Sequence, residues 1–410
     1  MSGSPDPPTR AQAEALDAAD PLGSFVDRFV VAEAELCYLD GNSLGRPPRA
    51  TANRLAQFFE REWAGDLVEG WDRWIDLPTA VGDELGRVLL GASPGQVVVC
   101  DSVTVNLYKL AGAALAALPD RSVLVVPDGE FPTDRYVLEG LASRLGHEVR
   151  MMRSDPIHGV GPDDVAAVVD ERVALVCLSM VDYRTSAVAD LVEITRLIHD
   201  AGAVGLWDLS HAVGSVPIQL DRAGVDLAVG CTYKYLNAGP GAPAFLYVRD
   251  DLQPRLRQPI WGWFGHRDQF AMADGYEPSA GIGRFLIGTP NLAGTIAVEE
   301  GVRLFAEAGI GAVRDKGQRL TSLLIELVDG WLDDLGFELA SPRAADRRGA
   351  HVGLAHPDAG AISQALRRRA RVVADYRPPD LLRLGPAPLS SRFVALRDEA
   401  WGVVLRVAAR

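Results

Sequence analysis

The chain has 410 residues, of which 48% are hydrophobic and 23% charged, a composition typical of a globular protein with room for two domains. Its formal net charge of −14 argues against a nucleic-acid partner, because phosphate binding depends on clustered Lys and Arg. Its first residues lack the apolar stretch of a secretory signal, and no apolar run is long enough to span a bilayer, so we expect a cytoplasmic protein without a membrane partner.

The predicted elements in the middle of the chain alternate between strands and helices. Predicted strands cover residues 97–100, 122–126, 174–178, 204–207, 227–230 and 244–248. Predicted helices between them include residues 104–117, 134–145 and 191–201. Short apolar runs that alternate with stretches of helical period are typical of a parallel sheet with crossover helices. The pattern therefore predicts an α/β fold with a mainly parallel central sheet.

The pattern changes in the last quarter of the chain. Two long amphipathic helices are predicted at residues 294–307 and 310–335, followed by short strands at 351–355 and 371–374. This order indicates a second, smaller α+β domain. We expect an N-terminal arm at 1–48 that belongs to the small domain, a large domain at 49–294 and the small domain at 295–410.

Several cofactor and metal motifs are absent from the sequence. It contains no G-x-G-x-x-G after a strand, no G-x-x-x-x-G-K-[ST] and no H-E-x-x-H. Its four cysteines are far apart and form no C-x-x-C pair, so neither a zinc site nor a disulfide framework is predicted. Nicotinamide, nucleotide triphosphate and metal chemistry are accordingly disfavoured.

Two neighbouring motifs carry chemistry instead, W-D-L-S-H-A-V-G at 207–214 and C-T-Y-K-Y-L-N-A-G-P-G at 231–241. Asp208 ends a predicted strand, where open parallel sheets bind their ligands, and a carboxylate there suits the ring nitrogen of a pyridoxal cofactor. Lys234 lies between two tyrosines and suits imine formation. A lone D-x-x-H is usually a cap and a lone lysine usually a surface residue, so these residues alone leave both interpretations open.

The wider sequence resembles the kynureninases, a family of fold-type-I pyridoxal-phosphate enzymes related to class V aminotransferases. The resemblance runs from about residue 38 to residue 389. It is carried by the two motifs above together with Y-L-D-G-N-S-L-G (38–45), T-V-N-L (104–107), F-P-T-D (131–134), G-W-F-G-H (262–266), G-T-P (288–290) and R-L-G-P-A-P-L (383–389). It implies pyridoxal-phosphate-dependent hydrolysis of the Cβ–Cγ bond of L-kynurenine to anthranilate and L-alanine, in tryptophan catabolism.

The resemblance also implies a set of cofactor-binding residues. They are Val103, Thr104, Phe131, Pro132, Thr133, Asp134, Ser179, Asp208, His211, Tyr233, Lys234, Trp263 and Thr289.

Three of these are expected to be catalytic. Lys234 would hold the cofactor as a Schiff base, Asp208 would bind the pyridine nitrogen, and Tyr233 would reach the phosphate and relay a proton. Val103 and Thr104 would meet the phosphate at the start of a helix, where amide groups and the helix dipole favour an anion.

Other members of the set would enclose the cofactor from two chains. Phe131 would cover one face of the ring and His211 would neighbour it. Trp263 and Thr289 match positions that, in the family, reach the phosphate from the partner subunit. The resemblance therefore implies a homodimer with shared active sites.

Further residues are assigned to the substrate. Arg383 matches the family arginine that grips the α-carboxylate, a task suited to a bidentate donor. Asn42 and Ser43 either contact the substrate or simply form a tight turn. Trp71 and Thr289 resemble the bacterial type, which prefers kynurenine over 3-hydroxykynurenine, although Trp71 also suits core packing.

One segment departs from the family pattern, and other functions remain open. The family usually has a Gly after the Thr of V-D-Y-R-T-S-A (181–187), where this chain has Ser186. Alternatives are an enzyme for ring-substituted kynurenines in secondary metabolism, a class V aminotransferase, a cysteine desulfurase or a catalytically silent binding protein. A desulfurase would need a nucleophilic cysteine in the C-terminal third, and the last cysteine is Cys231.

Overall fold

The computed structural model describes residues 6–33 and 36–397. Its α-helices are α1 (Arg10–Ala18), α2 (Arg49–Gln57), α3 (Ala64–Asp66), α4 (Trp71–Trp74), α5 (Leu77–Leu85), α6 (Val103–Ala117), α7 (Pro132–Leu145), α8 (Pro162–Ala166), α9 (Leu191–Asp200), α10 (Leu220–Ala223), α11 (Leu292–Ala308), α12 (Ile310–Trp331), α13 (Ala359–Ala365) and α14 (Phe393–Ala395). Its strands are β1 (Cys37–Leu39), β2 (Val97–Val99), β3 (Val123–Pro127), β4 (Glu148–Met152), β5 (Val173–Ser179), β6 (Val204–Asp208), β7 (Leu227–Gly230), β8 (Phe245–Val248), β9 (Glu338–Leu339), β10 (Val352–Ala355), β11 (Val372–Arg377) and β12 (Leu381–Leu384).

The larger sheet has seven strands in the order β2-β8-β7-β6-β5-β3-β4. Strands β7, β6, β5, β3 and β4 run parallel, and β8 pairs antiparallel with both β7 and β2. In the three central strands, Ser179 of β5 pairs with Asp208 of β6, and Asp208 pairs with Val229 of β7. The carboxyl ends of β5 and β6 therefore present these two polar side chains next to each other.

Apolar residues on both faces of this sheet explain why its strands are continuous hydrophobic runs. Along β3, Val123 and Val125 pack into one core cluster, while Leu124 and Val126 pack into the other. Helices α6 and α7 contribute to the second cluster through residues such as Leu110 and Leu138. The sheet is thus the middle layer between two helical layers.

The smaller sheet has five strands in the order β1-β11-β12-β10-β9. Strand β1 pairs parallel with β11, and the remaining pairs are antiparallel. Its register places Arg383 opposite Gly353 on one side and opposite Asp375 on the other. Helix α12 covers this sheet with Leu320, Leu324 and other buried residues.

The structure confirms the predicted α/β architecture with its mainly parallel sheet. All six predicted central strands are present, and their bounds shift by at most one residue. The sequence analysis missed β4, because this edge strand is largely exposed and carries Glu148 and Arg150. The predicted domain boundaries at residues 48 and 294 stay predictions. Within the described ranges, no helix combines the length and apolarity that crossing a bilayer requires.

Candidate active site

A cavity of about 250 Å³ lies at the carboxyl ends of the central strands. Its wall includes Val103, Thr104, Phe131, Thr133, Asp134, Ser179, Asp208, His211, Tyr233 and Lys234, all of them predicted cofactor residues. Pro132 does not line the cavity. It opens helix α7 within its first turn, where proline's fixed backbone angle fits.

Lys234 lies on the turn after β7, four residues beyond the end of that strand. Its Nζ is 3.3 Å from Nε2 and 3.4 Å from Nδ1 of His211, and 5.9 Å from the ring centre of Phe131. Burial lowers the pKa of His211 well below its usual value, and the positive charge of Lys234 lowers it further. The histidine is therefore neutral beside the amine.

Two aspartates form an acidic wall opposite the lysine. Asp208 is the last residue of β6, and its Oδ1 accepts a hydrogen bond from the backbone N–H of Ser210 at 2.6 Å. Asp134 is fully buried, and no N–H or O–H group of the described residues donates to its carboxyl oxygens. Burial raises the pKa of Asp134 well above its usual range, and the negative charges of Asp208 and Glu130 add to this effect. Asp134 therefore holds a proton more readily than an exposed aspartate does.

The third part of the cavity is the beginning of helix α6. Ser102 caps this helix by accepting the N–H of Val105 at 3.3 Å, and Val103 and Thr104 occupy its first turn. Amide groups of a first helical turn have no partner within the helix, so they can bind an anion. Below this turn the buried ammonium of Lys109 pairs with Asp101 at 2.6 Å, which holds the preceding loop in place.

Arg383 is buried in β12. Its Nε donates to Oδ2 of Asp375 at 2.7 Å, its Nη1 to the carbonyl of Tyr183 at 2.5 Å, and its Nη2 to Oγ of Ser43 at 3.0 Å. The positive charge of Arg383 also contributes to the lowered pKa of His211, which lines the lysine cavity. The structure thus brings Ser43 to the predicted carboxylate-binding arginine.

Asn42 is fully buried next to this arginine site. None of the described residues hydrogen-bonds its amide oxygen or nitrogen. A Cβ added to Gly385 would lie 1.8 Å from Oδ1 of Asn42, so this glycine allows the loop to pack closely. A buried amide without a protein partner suits contact with a ligand or an ordered water.

Trp71, Trp263 and Thr289 do not line the cavity of the same chain. Trp71 and Thr289 border a separate surface groove of about 630 Å³. Trp263 is 39% exposed and packs edge-on against Phe264, at 4.5 Å between ring centres. Trp71 contacts the same phenylalanine at 5.8 Å. The role of Trp71 in substrate binding stays a prediction, as does the contact of Trp263 and Thr289 with the cofactor of the partner subunit.

Two further residues of the site were missed by the sequence analysis. Asp375 holds the guanidinium of Arg383, and it lies outside every motif that was singled out. Glu130 immediately precedes the F-P-T-D motif, and its carboxylate contacts the end of β5. Its position directly before the F-P-T-D motif could have identified Glu130 as a residue of the site.

The departure at Ser186 is accommodated by backbone geometry. Ser186 has φ of 65°, a left-handed conformation that normally favours glycine. Its Oγ accepts the backbone N–H of His351 at 3.3 Å, and its carbonyl accepts the N–H of Gly349 at 2.7 Å. The His351 ring lies 5.7 Å from that of His211. Ser186 thus connects the turn after β5 of the large sheet to the residues just before β10 of the small sheet.

The site fits the predicted cofactor. A half-buried amine, a neutral histidine, an acidic wall and a helix N-terminus surround one cavity, and the carboxyl oxygens of Asp134 lack a donor group of their own. An aldehyde that carries a basic ring nitrogen and a phosphate can use each of these groups.

Comparisons with known sequences point to one family. Residues 313–401 match the family described as the kynureninase C-terminal domain. A kynureninase from Pseudomonas fluorescens is 41% identical over 398 residues, which cover 95% of this chain and 93% of the relative. A kynureninase from Burkholderia pseudomallei is 40% identical over 396 residues, with the same coverage of both chains.

Comparisons with solved structures identify the fold. A cysteine desulfurase from Thermococcus onnurineus superposes with a TM-score of 0.79 at 17% identity and covers the whole of both chains. A cysteine desulfurase from Escherichia coli has a TM-score of 0.79 at 17% identity, with 95% of this chain and 98% of that chain covered. At this level of identity the likeness concerns the fold alone, which is the predicted fold type I.

Proposed function

Since the chain belongs to the kynureninase family, we propose that it hydrolyses the Cβ–Cγ bond of L-kynurenine to anthranilate and L-alanine, with pyridoxal phosphate as its cofactor. The observation that carries this proposal is the single cavity that unites Lys234, His211, Asp208 and Asp134, in a chain about 40% identical to kynureninases over nearly its full length. Enzymes of this type belong to the hydrolases that act on carbon–carbon bonds.

We infer how these residues would hold the cofactor. Lys234 would bind it covalently, Asp208 would pair with the ring nitrogen, and Phe131 would cover the ring. Val103 and Thr104 would bind the phosphate at the start of α6. When bound, pyridoxal phosphate acts as an electron sink that stabilises negative charge next to the substrate amine.

The remaining residues would bind the substrate and move protons. Arg383 would grip the α-carboxylate, supported from behind by Asp375. Lys234, once released, would carry a proton at Nζ. Burial raises the pKa of Tyr233, so its hydroxyl keeps its proton and can donate it. Overall one water is split, so that hydroxide joins the carbonyl carbon that becomes the carboxyl of anthranilate and a proton joins Cβ, which becomes the methyl of alanine.

A homodimer with shared active sites is part of this proposal. The groove that contains Trp71 and Thr289 is bordered by exposed apolar side chains, including Phe59 at 45%, Trp63 at 51% and Val68 at 76%. Exposed apolar patches of this kind mark interaction surfaces. In this proposal a second copy covers the groove, and Trp263 and Thr289 reach the partner's cavity. Light scattering should give twice the mass of the chain, and a monomer with full activity would refute this part.

The cytoplasmic location and the pathway stay predictions from the sequence and the family. Cysteine desulfurases share the fold, but all four cysteines of this chain are buried, which disfavours a nucleophilic cysteine.

The decisive experiment measures anthranilate fluorescence and alanine after incubation with L-kynurenine, in parallel with 3-hydroxy-L-kynurenine and L-cysteine. We expect kynurenine to be cleaved fastest, on the basis of Trp71 and Thr289, and the Lys234→Ala variant to release no anthranilate above background. Faster cleavage of the hydroxylated substrate would refute the use of those two residues. Turnover of neither kynurenine would refute the proposed function.

A further inference from the structure

Glu130 is a buried carboxyl group that the proposed reaction does not use. It is 5% exposed and directly precedes Phe131, which lines the cavity. Its Oε1 accepts the Oγ–H of Ser179 at 2.6 Å and the N–H of Phe131 at 2.9 Å, and its Oε2 accepts the N–H of Ser179 at 2.7 Å. One carboxylate therefore joins the end of β5 to the beginning of α7.

The surroundings of Glu130 are acidic. The negative charges of Asp208 and Asp182 act on it, and Glu130 in turn acts on Asp134. Burial raises the pKa of Glu130 to about 7, while its hydrogen bonds from Ser179 and Phe131 favour the charged form. Lys234 contributes the opposing positive charge at Asp134. A second carboxylate thus lies near Asp208, on the acidic side of the cavity.

We propose that Glu130 is a positioning residue for the cofactor, which fixes Phe131 and Ser179 and, when ionised, places a second negative charge near Asp208. The inference rests on the cofactor assignment within the proposed function. A carboxylate held in a protein interior is weakly screened, so its charge acts on neighbouring groups more strongly than it would in water. Through Asp208 it favours a protonated ring nitrogen, which is the form that withdraws electrons. Glu130 itself touches neither cofactor nor substrate in this account.

Glu130→Gln tests the charge with little change of shape. In the holoenzyme, the pKa seen in the absorbance of the bound cofactor should fall by about one unit, a tenfold change in proton affinity. The affinity of the apoprotein for pyridoxal phosphate should fall about tenfold, because glutamine cannot accept hydrogen bonds at both of its terminal atoms. Glu139→Gln is the matched control, since it makes the same exchange at an exposed position of α7 that does not line the cavity. Its spectral pKa should stay that of the wild type.

The apoprotein gives a readout that needs neither cofactor nor substrate. Because the folded-state pKa of Glu130 is raised, the folded protein binds more protons than the unfolded chain between about pH 4.5 and 7. The contribution of Glu130 to the free energy of unfolding is therefore fully present below about pH 4.5 and is lost as the pH rises through about 7. Urea unfolding of E130Q should lack this component, so the ratio of wild-type to E130Q folding constants should fall on the order of a hundredfold from pH 5 to pH 8.

Glu130→Asp keeps a carboxylate at this position, but the shorter side chain no longer reaches the three groups that donate hydrogen bonds to Glu130. It should bind the cofactor more weakly while its spectral titration stays close to that of the wild type, and it carries the test if E130Q does not fold. A wild-type titration and wild-type cofactor affinity in E130Q, or a titration of E130D shifted by a full unit, would overturn the role of Glu130. The cofactor readouts need no kynurenine, so a wild type that binds pyridoxal phosphate without cleaving kynurenine would overturn only the proposed function.

Discussion

Replacing Arg383 by lysine separates the shape of the guanidinium from its charge. In the structure the buried guanidinium uses its Nε, Nη1 and Nη2 to contact Asp375, Tyr183 and Ser43, and this network fixes the orientation of the group. A lysine ammonium is a point charge without the planar fork that matches a carboxylate. R383K should therefore bind the substrate α-carboxylate through fewer and less well oriented hydrogen bonds.

The expected loss can be derived from the hydrogen bonds. A hydrogen bond to a charged group contributes about 1.5–3 kcal/mol. Loss of one such bond predicts a fall in kcat/KM of about 10- to 150-fold, since 1.4 kcal/mol is a factor of ten. Most of the change should appear in KM, because the carboxylate is bound in both the ground state and the transition state.

The assay is steady-state release of anthranilate at varied kynurenine, together with titration of the apoprotein with pyridoxal phosphate. Cofactor affinity should stay unchanged in R383K, because Arg383 does not line the lysine cavity. Arg377→Lys is the matched control: Arg377 binds the same Asp375 at 2.8 Å, but it is 33% exposed. A KM for R383K within twofold of the wild type, with a raised KM for R377K, would refute the assignment of the carboxylate site.

Three further predictions concern the frame around the site. Lys316 and Asp20 form a buried ion pair at 2.7 Å, so Lys316→Met should lower the free energy of unfolding in urea by about 3–5 kcal/mol, and an unchanged midpoint would contradict this. Gly385→Ala places a Cβ against Asn42, so it should raise KM for kynurenine while cofactor binding is retained; an unaltered KM would show that the loop adapts. Burial lowers the pKa of His351 well below its usual value, so the unfolded chain binds the additional proton as the pH falls below about 6.5. Stability should then fall by up to about 1.4 kcal/mol per pH unit, a component that His351→Gln removes and that urea unfolding at pH 5 and pH 8 would reveal.

Much of the large sheet could be predicted from local sequence. Strands such as β5 are buried along almost their whole length, so they stand out as continuous apolar runs. Asp208 was recognised because a charged residue ends one of these runs, and it ends β6 in the structure. Edge strand β4 was not predicted, because a partly exposed strand does not form a continuous apolar run. Trp71 was assigned to the substrate from the family, whereas in the single chain it borders a surface groove.

The sequence by itself determined the order of elements, the type of sheet and the residues whose side chains can do chemistry. Each of these depends on residues that are close together in the chain. The tertiary structure decided which of them meet. Ser43 and Arg383 are 340 residues apart, and Glu130 and Ser179 are 49 apart, yet each pair is hydrogen-bonded. The shifted pKa values of Glu130, Asp134 and His211 follow from such long-range packing, since burial is a property of the folded chain and no local pattern encodes it.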